Sequence, residues 1–275
     1  MNLTIFLHVI IESGFAMFCI IAAIYIRMYT AATRSVSRAM VAGLTVNSVV
    51  NIFDALAYLF RGNVTEAGFM MTRVSNFIVI AGMFVLLEVG NALLDKVLEL
   101  EGGGKDKRLR DAVYIVCAAA VIVLVISRLF GFFYSFDAQN YYHRDSGFMF
   151  IPLFAIVGIA LVAARIVKEK EILNDGEFYA AMCFCMLPLA GIVLQAFNYG
   201  ISYSNMANSI SLAVIWAVFI REEISKVSVR RSFILSAAGI DSISEDIDRF
   251  LDGVGTEKQN RIRIRFTIEE ALISI

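Results

Sequence analysis

Seven long apolar runs alternate with short polar stretches along the first 221 positions: roughly 3 to 26, 38 to 60, 74 to 94, 112 to 134, 148 to 167, 177 to 200 and 203 to 221. A helix rises about 1.5 Å per residue, so about 20 apolar residues cross a hydrocarbon core, and backbone groups stay paired only if the run is helical. The pattern predicts an all-α polytopic membrane protein. Its body is a seven-transmembrane-helix bundle over 1–221, followed by a connector helix over 222–240 and a short amphipathic tail over 241–275. The sixth and seventh runs are the least clearly separated.

Polar residues interrupt the runs at helical spacing. Asn47, Asn51 and Asp54 fall on one face of the second run, Glu88 and Asn91 share a face of the third, and His8 and Glu12 stand four apart in the first. Arg128 lies in the outer half of the fourth, where it can snorkel outward or pair with one of these acids. Two readings follow. The set is interhelical hydrogen bonding, or Asp54, Glu88 and Arg128 belong to a ligand pocket or a charge switch between two helix packings.

Composition agrees with a membrane setting: 59% hydrophobic residues, 18% charged, mean hydropathy +0.73 and two prolines in 275 residues. A net charge of -1 gives no basic field and argues against a nucleic-acid partner. Orientation follows from the placement of Lys and Arg. Arg27, Arg34 and Arg38, then Lys96, Lys105, Lys107, Arg108 and Arg110, then Arg165, Lys168 and Lys170 fall in alternate loops; the other set holds Arg61, Arg73 and Arg144. The expectation is an outside N-terminus and a cytoplasmic C-terminus. The first run is too long for a signal peptide and lacks a basic leader, so it is expected to be retained.

Several chemistries are excluded. The glycines of LELEGGGKDKRLRD (98 to 111) form no GxxxxGK[ST] pattern, so this is a solvated loop. YSNMANSISLAVIWAVFI has no lysine for a retinal Schiff base. The four cysteines lie in apolar runs with no Cys or His at metal-ligand spacing, so no cofactor and no metal site is expected.

The segments YSFDAQNYYHRDSGFMFIPL and CMLPLAGIVLQAFNYGISYSNMANSISLAVIWAVFI resemble the seven-helix N-terminal sensor region of bacterial membrane histidine kinases and diguanylate cyclases. The matching positions are Asp137, Asn140, Tyr142, Arg144, Pro188, Gln195, Tyr199 and Gly200, with Asp145 where a glycine commonly follows the arginine. The resemblance implies signal sensing at Asp137, Asn140, Tyr142, Arg144, Gln195 and Tyr199, and the ligand-pocket reading of the spans adds Asp54, Glu88, Asn91 and Arg128. It also implies a bacterial inner-membrane location and action as a homodimer. Further on, IRFTIEEAL resembles the first conserved helix of the GHKL ATPase fold, anti-sigma-factor type. Carried over, Glu270 takes the position that polarises water and Ser274 the magnesium-binding position. No glycine-rich nucleotide box follows, and no histidine occurs after His143, so Glu270 and Ser274 are vestigial candidates and no catalysis is expected.

The reading is therefore a sensor in the lipid bilayer, taking an unknown small-molecule ligand and acting on a cytoplasmic partner or downstream domain. A small-solute or ion transporter or channel is the rival, with Asp54 and Glu88 lining the path, although no inverted repeat is visible. A structural scaffold is a third.

Overall fold

The structure is a computed structural model and describes residues 3–29, 34–104, 107–197 and 201–221. Among the described residues, seven helices are long and apolar enough to cross a membrane: α1 Leu3–Tyr29, α2 Arg34–Leu59, α3 Glu66–Leu100, α4 Arg108–Phe130, α5 Phe150–Lys168, α6 Asp175–Phe197 and α7 Tyr203–Arg221. The protein is a seven-helix bundle, essentially all-α, and it reads as a multi-pass membrane protein. The connector and tail segments, with Glu270 and Ser274, lie outside the described residues.

Helix ends depart from the apolar runs where local chemistry decides them. At its start, α3 begins eight residues early because Thr65 caps it, its hydroxyl accepting from the Gly68 amide at 3.1 Å. It also continues past the apolar run to Leu100, and at about 1.5 Å per residue its 35 residues outreach a hydrocarbon core. By contrast, α4 stops at Phe130, because Gly131 takes a left-handed φ of 61° and turns the chain. Pro152 sits in the first turn of α5, where no backbone bond is lost, while Pro188 lies inside α6.

The α4–α5 connection is not a plain loop. Tyr134–Phe136 (β1) pairs antiparallel with Tyr142–Arg144 (β2), with Tyr134 opposite Arg144 and Phe136 opposite Tyr142. Strand alternation sends Tyr142 and Arg144 to one side of this hairpin and His143 to the other.

Packing follows chain order from α1 to α6, with α3 also against α5. The seventh helix meets α2 through polar contacts, and its Trp216 sits edge-on to Phe18 of α1, ring centroids 5.5 Å apart. In α1, His8, Glu12, Ala16, Cys19 and Ala22 face inward, while Phe6, Leu7, Ile10, Met17 and Ile21 are exposed. Such an arrangement suits a lipid solvent, in which apolar side chains gain nothing by turning inward and polar ones do. Small residues allow close crossings: a Cβ on Gly191 would stand 2.8 Å from the backbone of Tyr203 and Ser204, so α6 and α7 touch almost main chain to main chain.

Candidate functional site

At the hairpin end of the bundle, α2, α3, β2, α5, α6 and the start of α7 surround a cavity of about 520 Å³. Asp54 and Asn205 lie deep in its wall, Arg61 and Arg144 bring two guanidinium groups, and Tyr58, Tyr142, Gln195 and Ser204 add hydroxyl and amide groups. Apolar lining comes from Ile80, Met83, Phe148 and Pro152 among others. This mixture, mostly apolar with a few convergent polar groups, is what a small-molecule site requires.

The hairpin is held over the cavity by one residue. Asn140 is fully buried and left-handed, with φ 61°. Its amide nitrogen donates to the Phe60 carbonyl at 3.2 Å, the Asn63 carbonyl at 2.9 Å and the Thr72 hydroxyl at 3.0 Å, tying the turn to the α2–α3 connection. Arg61 lies 5.3 Å from the centre of the Tyr141 ring, and Arg144 stacks 4.3 Å from that of Phe148. On the outer side of the turn, Asp137 accepts from the amides of Gln139 at 3.0 Å and Tyr141 at 2.8 Å, and pairs with His143 at 2.9 Å. Its carboxyl is held below the usual carboxylate range, first by the His143 hydrogen bond and then by the Tyr141 amide. Burial pushes the Tyr134 hydroxyl up, against the opposing charge of Arg128.

Beneath the cavity a polar seam joins α1, α2 and α7. Asp54 Oδ2 accepts from the Asn205 amide at 3.0 Å and lies 3.3 Å from His8 Nε2, which lies 3.8 Å from Glu12 Oε1. His8 stacks on Tyr58 with ring centroids 4.0 Å apart. Farther along, Asn47 and Asn51 both donate to the Ser209 hydroxyl, at 2.9 and 3.0 Å, and Asn47 also reaches Cys19 Sγ at 3.3 Å.

The expected site residues therefore divide. Asp54, Tyr142, Arg144 and Gln195 line one cavity, and Asn140 secures its cover. Asp137 belongs to the outer face of the turn, and Tyr199 lies outside the described residues. The grouping of Asp54 with Glu88 and Arg128 is not formed. Glu88 sits by Tyr114 and Cys117 on the α4 side, while Arg128 is exposed and reaches outward over the Tyr134 ring at 5.4 Å. Asn91 serves another cluster, at the opposite end of the bundle. There Arg165, grouped by the loop pattern with solvated charges, is 2% exposed. It donates to Asn91 Oδ1 at 2.8 Å and pairs with Asp95, which Arg110 approaches at 3.5 Å.

Sequence reasoning missed Asn205 and Ser209. They stand four apart in YSNMANSISL, on the same face rule that picked out Asn47, Asn51 and Asp54 in α2. Arg61 and Tyr58 gave no such signal, being ordinary residues at the end of an apolar run.

No protein-family model, curated protein or solved structure matches the chain.

Proposed function

We propose that this chain is a membrane-embedded sensor in a bacterial inner membrane, with the hairpin end outside, which binds a small polar solute in the 520 Å³ cavity and passes the signal through α7. The observation that supports this reading is the sharing of cavity groups with α7. Asp54 holds Asn205, and Gln195 Oε1 accepts from the Ser204 hydroxyl at 2.6 Å and the Ser204 amide at 3.3 Å. A solute that takes up the hydrogen-bonding capacity of Asp54 or Gln195 competes with their bonds to α7. Its affinity then differs between two positions of that helix, and this difference is the condition for a ligand to shift a conformational equilibrium. Arg61 and Arg144 favour a solute with an anionic group, since a guanidinium matches a carboxylate or phosphate in two hydrogen bonds.

The output is delivered to a cytoplasmic partner or a further domain, and the 275 residues act without catalysis of their own. Action as a homodimer, in keeping with the sensors that the sequence resembles, belongs to the same proposal.

The test is a melting-temperature screen of the full chain in lipid nanodiscs against small carboxylates, amino acids and phosphate esters. A solute at a hundred times its Kd adds about 2.7 kcal/mol, roughly 5 to 10 °C for a protein of this size. A true ligand loses that shift in Arg144→Gln. Uptake of the same solute into proteoliposomes, abolished by Asp54→Asn, would replace the sensor reading with a transporter.

A further inference from the structure

Two ionisable residues of the polar seam, His8 and Glu12, keep buried atoms that no protein group hydrogen-bonds. His8 and Glu12 lie about 8 and 14 Å along α1 from Leu3, and Asp54 lies about 8 Å along α2 from Leu59, so all three fall within the apolar spans. All are buried: His8 is 3% exposed, Glu12 0% and Asp54 4%. Both Glu12 oxygens and His8 Nδ1 have no hydrogen-bond partner. A buried carboxylate without a hydrogen bond must be neutralised, by a proton or by a cation, and the neighbouring Asp54 carboxylate strengthens that demand.

We infer that His8, Glu12 and Asp54 form a binding site for one divalent transition-metal ion of the zinc type. The three residues bring an imidazole nitrogen and two carboxylate oxygens within 4.8 Å of one another. Donors at about 2.0 to 2.2 Å from a tetrahedral zinc stand roughly 3.3 to 3.6 Å apart. His8 Nε2 lies 3.3 Å from Asp54 Oδ2 and 3.8 Å from Glu12 Oε1, so two of the separations are near that range. A proton shared between His8 and Glu12 would instead draw the pair to hydrogen-bond distance, about 3 Å or less. Glu12 has no existing bond to break, and rotation of its side chain supplies the remaining adjustment.

The donor set selects the class of ion. An imidazole ligand suits zinc, copper, iron or nickel and disfavours magnesium, calcium and manganese, which take oxygen ligands. Two carboxylates cancel a charge of +2, leaving a neutral unit in apolar surroundings. Asn205 donates to Asp54 Oδ2 and orients that ligand, as outer-shell groups do around metals. Asp54 also lines the cavity, so an ion can approach this ligand from the cavity side. A bound ion fastens α1 to α2 beneath the solute site. The inference stands whether or not the cavity senses a solute, because metal binding is read directly.

The experiment uses the full chain in nanodiscs, stripped with EDTA, loaded with ZnCl₂ or NiCl₂, desalted, and assayed for metal content and melting temperature. The expected result is one retained ion per chain with a raised melting temperature. Glu12→Gln, which keeps the shape and removes the charge, should weaken binding by at least about 100-fold, since even outer-shell losses cost 10- to 100-fold. If Glu12→Gln does not elute as a folded species, His8→Gln carries the same expectation. His143→Ala, which removes the exposed imidazole beside Asp137, should leave binding intact. The inference is overturned if the wild type retains no ion, if the Glu12 and His8 variants bind as well as wild type, or if only His143→Ala abolishes binding.

Discussion

Asn140 concentrates more of the hairpin's position in one side chain than any neighbour. Its amide reaches three oxygens from two segments, and its φ of 61° is one that asparagine tolerates better than most residues. Each lost hydrogen bond contributes about 0.5 to 1.5 kcal/mol and left-handed strain on alanine about 1 to 2 kcal/mol. With two N–H groups to lose, Asn140→Ala should therefore lower stability by about 2 to 5 kcal/mol, and Asn140→Gly by roughly 1 kcal/mol less, as measured by denaturant titration of the purified protein. Asp137 governs the outer face of the same turn, and its contribution depends on pH. Its carboxyl titrates below the ordinary value of 3.8, so the stabilisation is complete above that value and is lost as pH falls through the lower folded one. Hydrogen-exchange protection of the Gln139 and Tyr141 amides should accordingly fall in acid, and Asp137→Asn should lack that dependence.

At the scale of elements, the two ends of the bundle are held by different chemistry. Opposite the hairpin, Arg165 of α5 is buried against Asn91 and Asp95 of α3, with Arg110 of α4 alongside, and the Asn91 amide donates to the Arg110 carbonyl at 3.1 Å. Removing one partner of a buried pair leaves an unmatched charge, so Asp95→Leu or Arg165→Met should each cost about 3 to 5 kcal/mol. The double variant Asp95→Leu with Arg165→Met should recover most of that loss, and a double-mutant cycle on thermal melts checks it. At the hairpin end, the contacts of α7 are hydrogen bonds between neutral or singly charged groups, which exchange partners more cheaply than a buried ion pair. Under the proposed function, α7 is accordingly the helix that shifts, against a fixed α3–α5.

For the molecule as a whole, crossing by all seven helices would set Leu3 and Arg221 on opposite membrane faces. Cysteine labelling with a membrane-impermeant maleimide at positions flanking α1 and α7 should find them in different compartments, and the hairpin on the side of Leu3. Much of this scale was legible beforehand. All seven helices match the apolar runs, because lipid permits no unpaired backbone and the run lengths must therefore match the bilayer. Helix ends at Thr65 and Gly131 were not legible from hydropathy, since capping and left-handed geometry are set by single residues. The candidate site was half legible. The spacing of Asn47, Asn51 and Asp54 correctly implied one inward face, yet it carried no information on which helix that face meets.

The sequence by itself determined the number of spans, the all-α class and which faces of α1 and α2 turn inward, because these follow from the period of a helix and the solvent around it. Only the tertiary structure decided that Asp54 meets His8 and Asn205 and not Glu88 or Arg128, that Arg165 is buried, and that Tyr142, Arg144 and Gln195 close one cavity. Those pairings join residues up to 151 positions apart. The rotation of each helix about its axis and the order of helices around the bundle set such contacts, and periodicity along one strand of sequence contains neither.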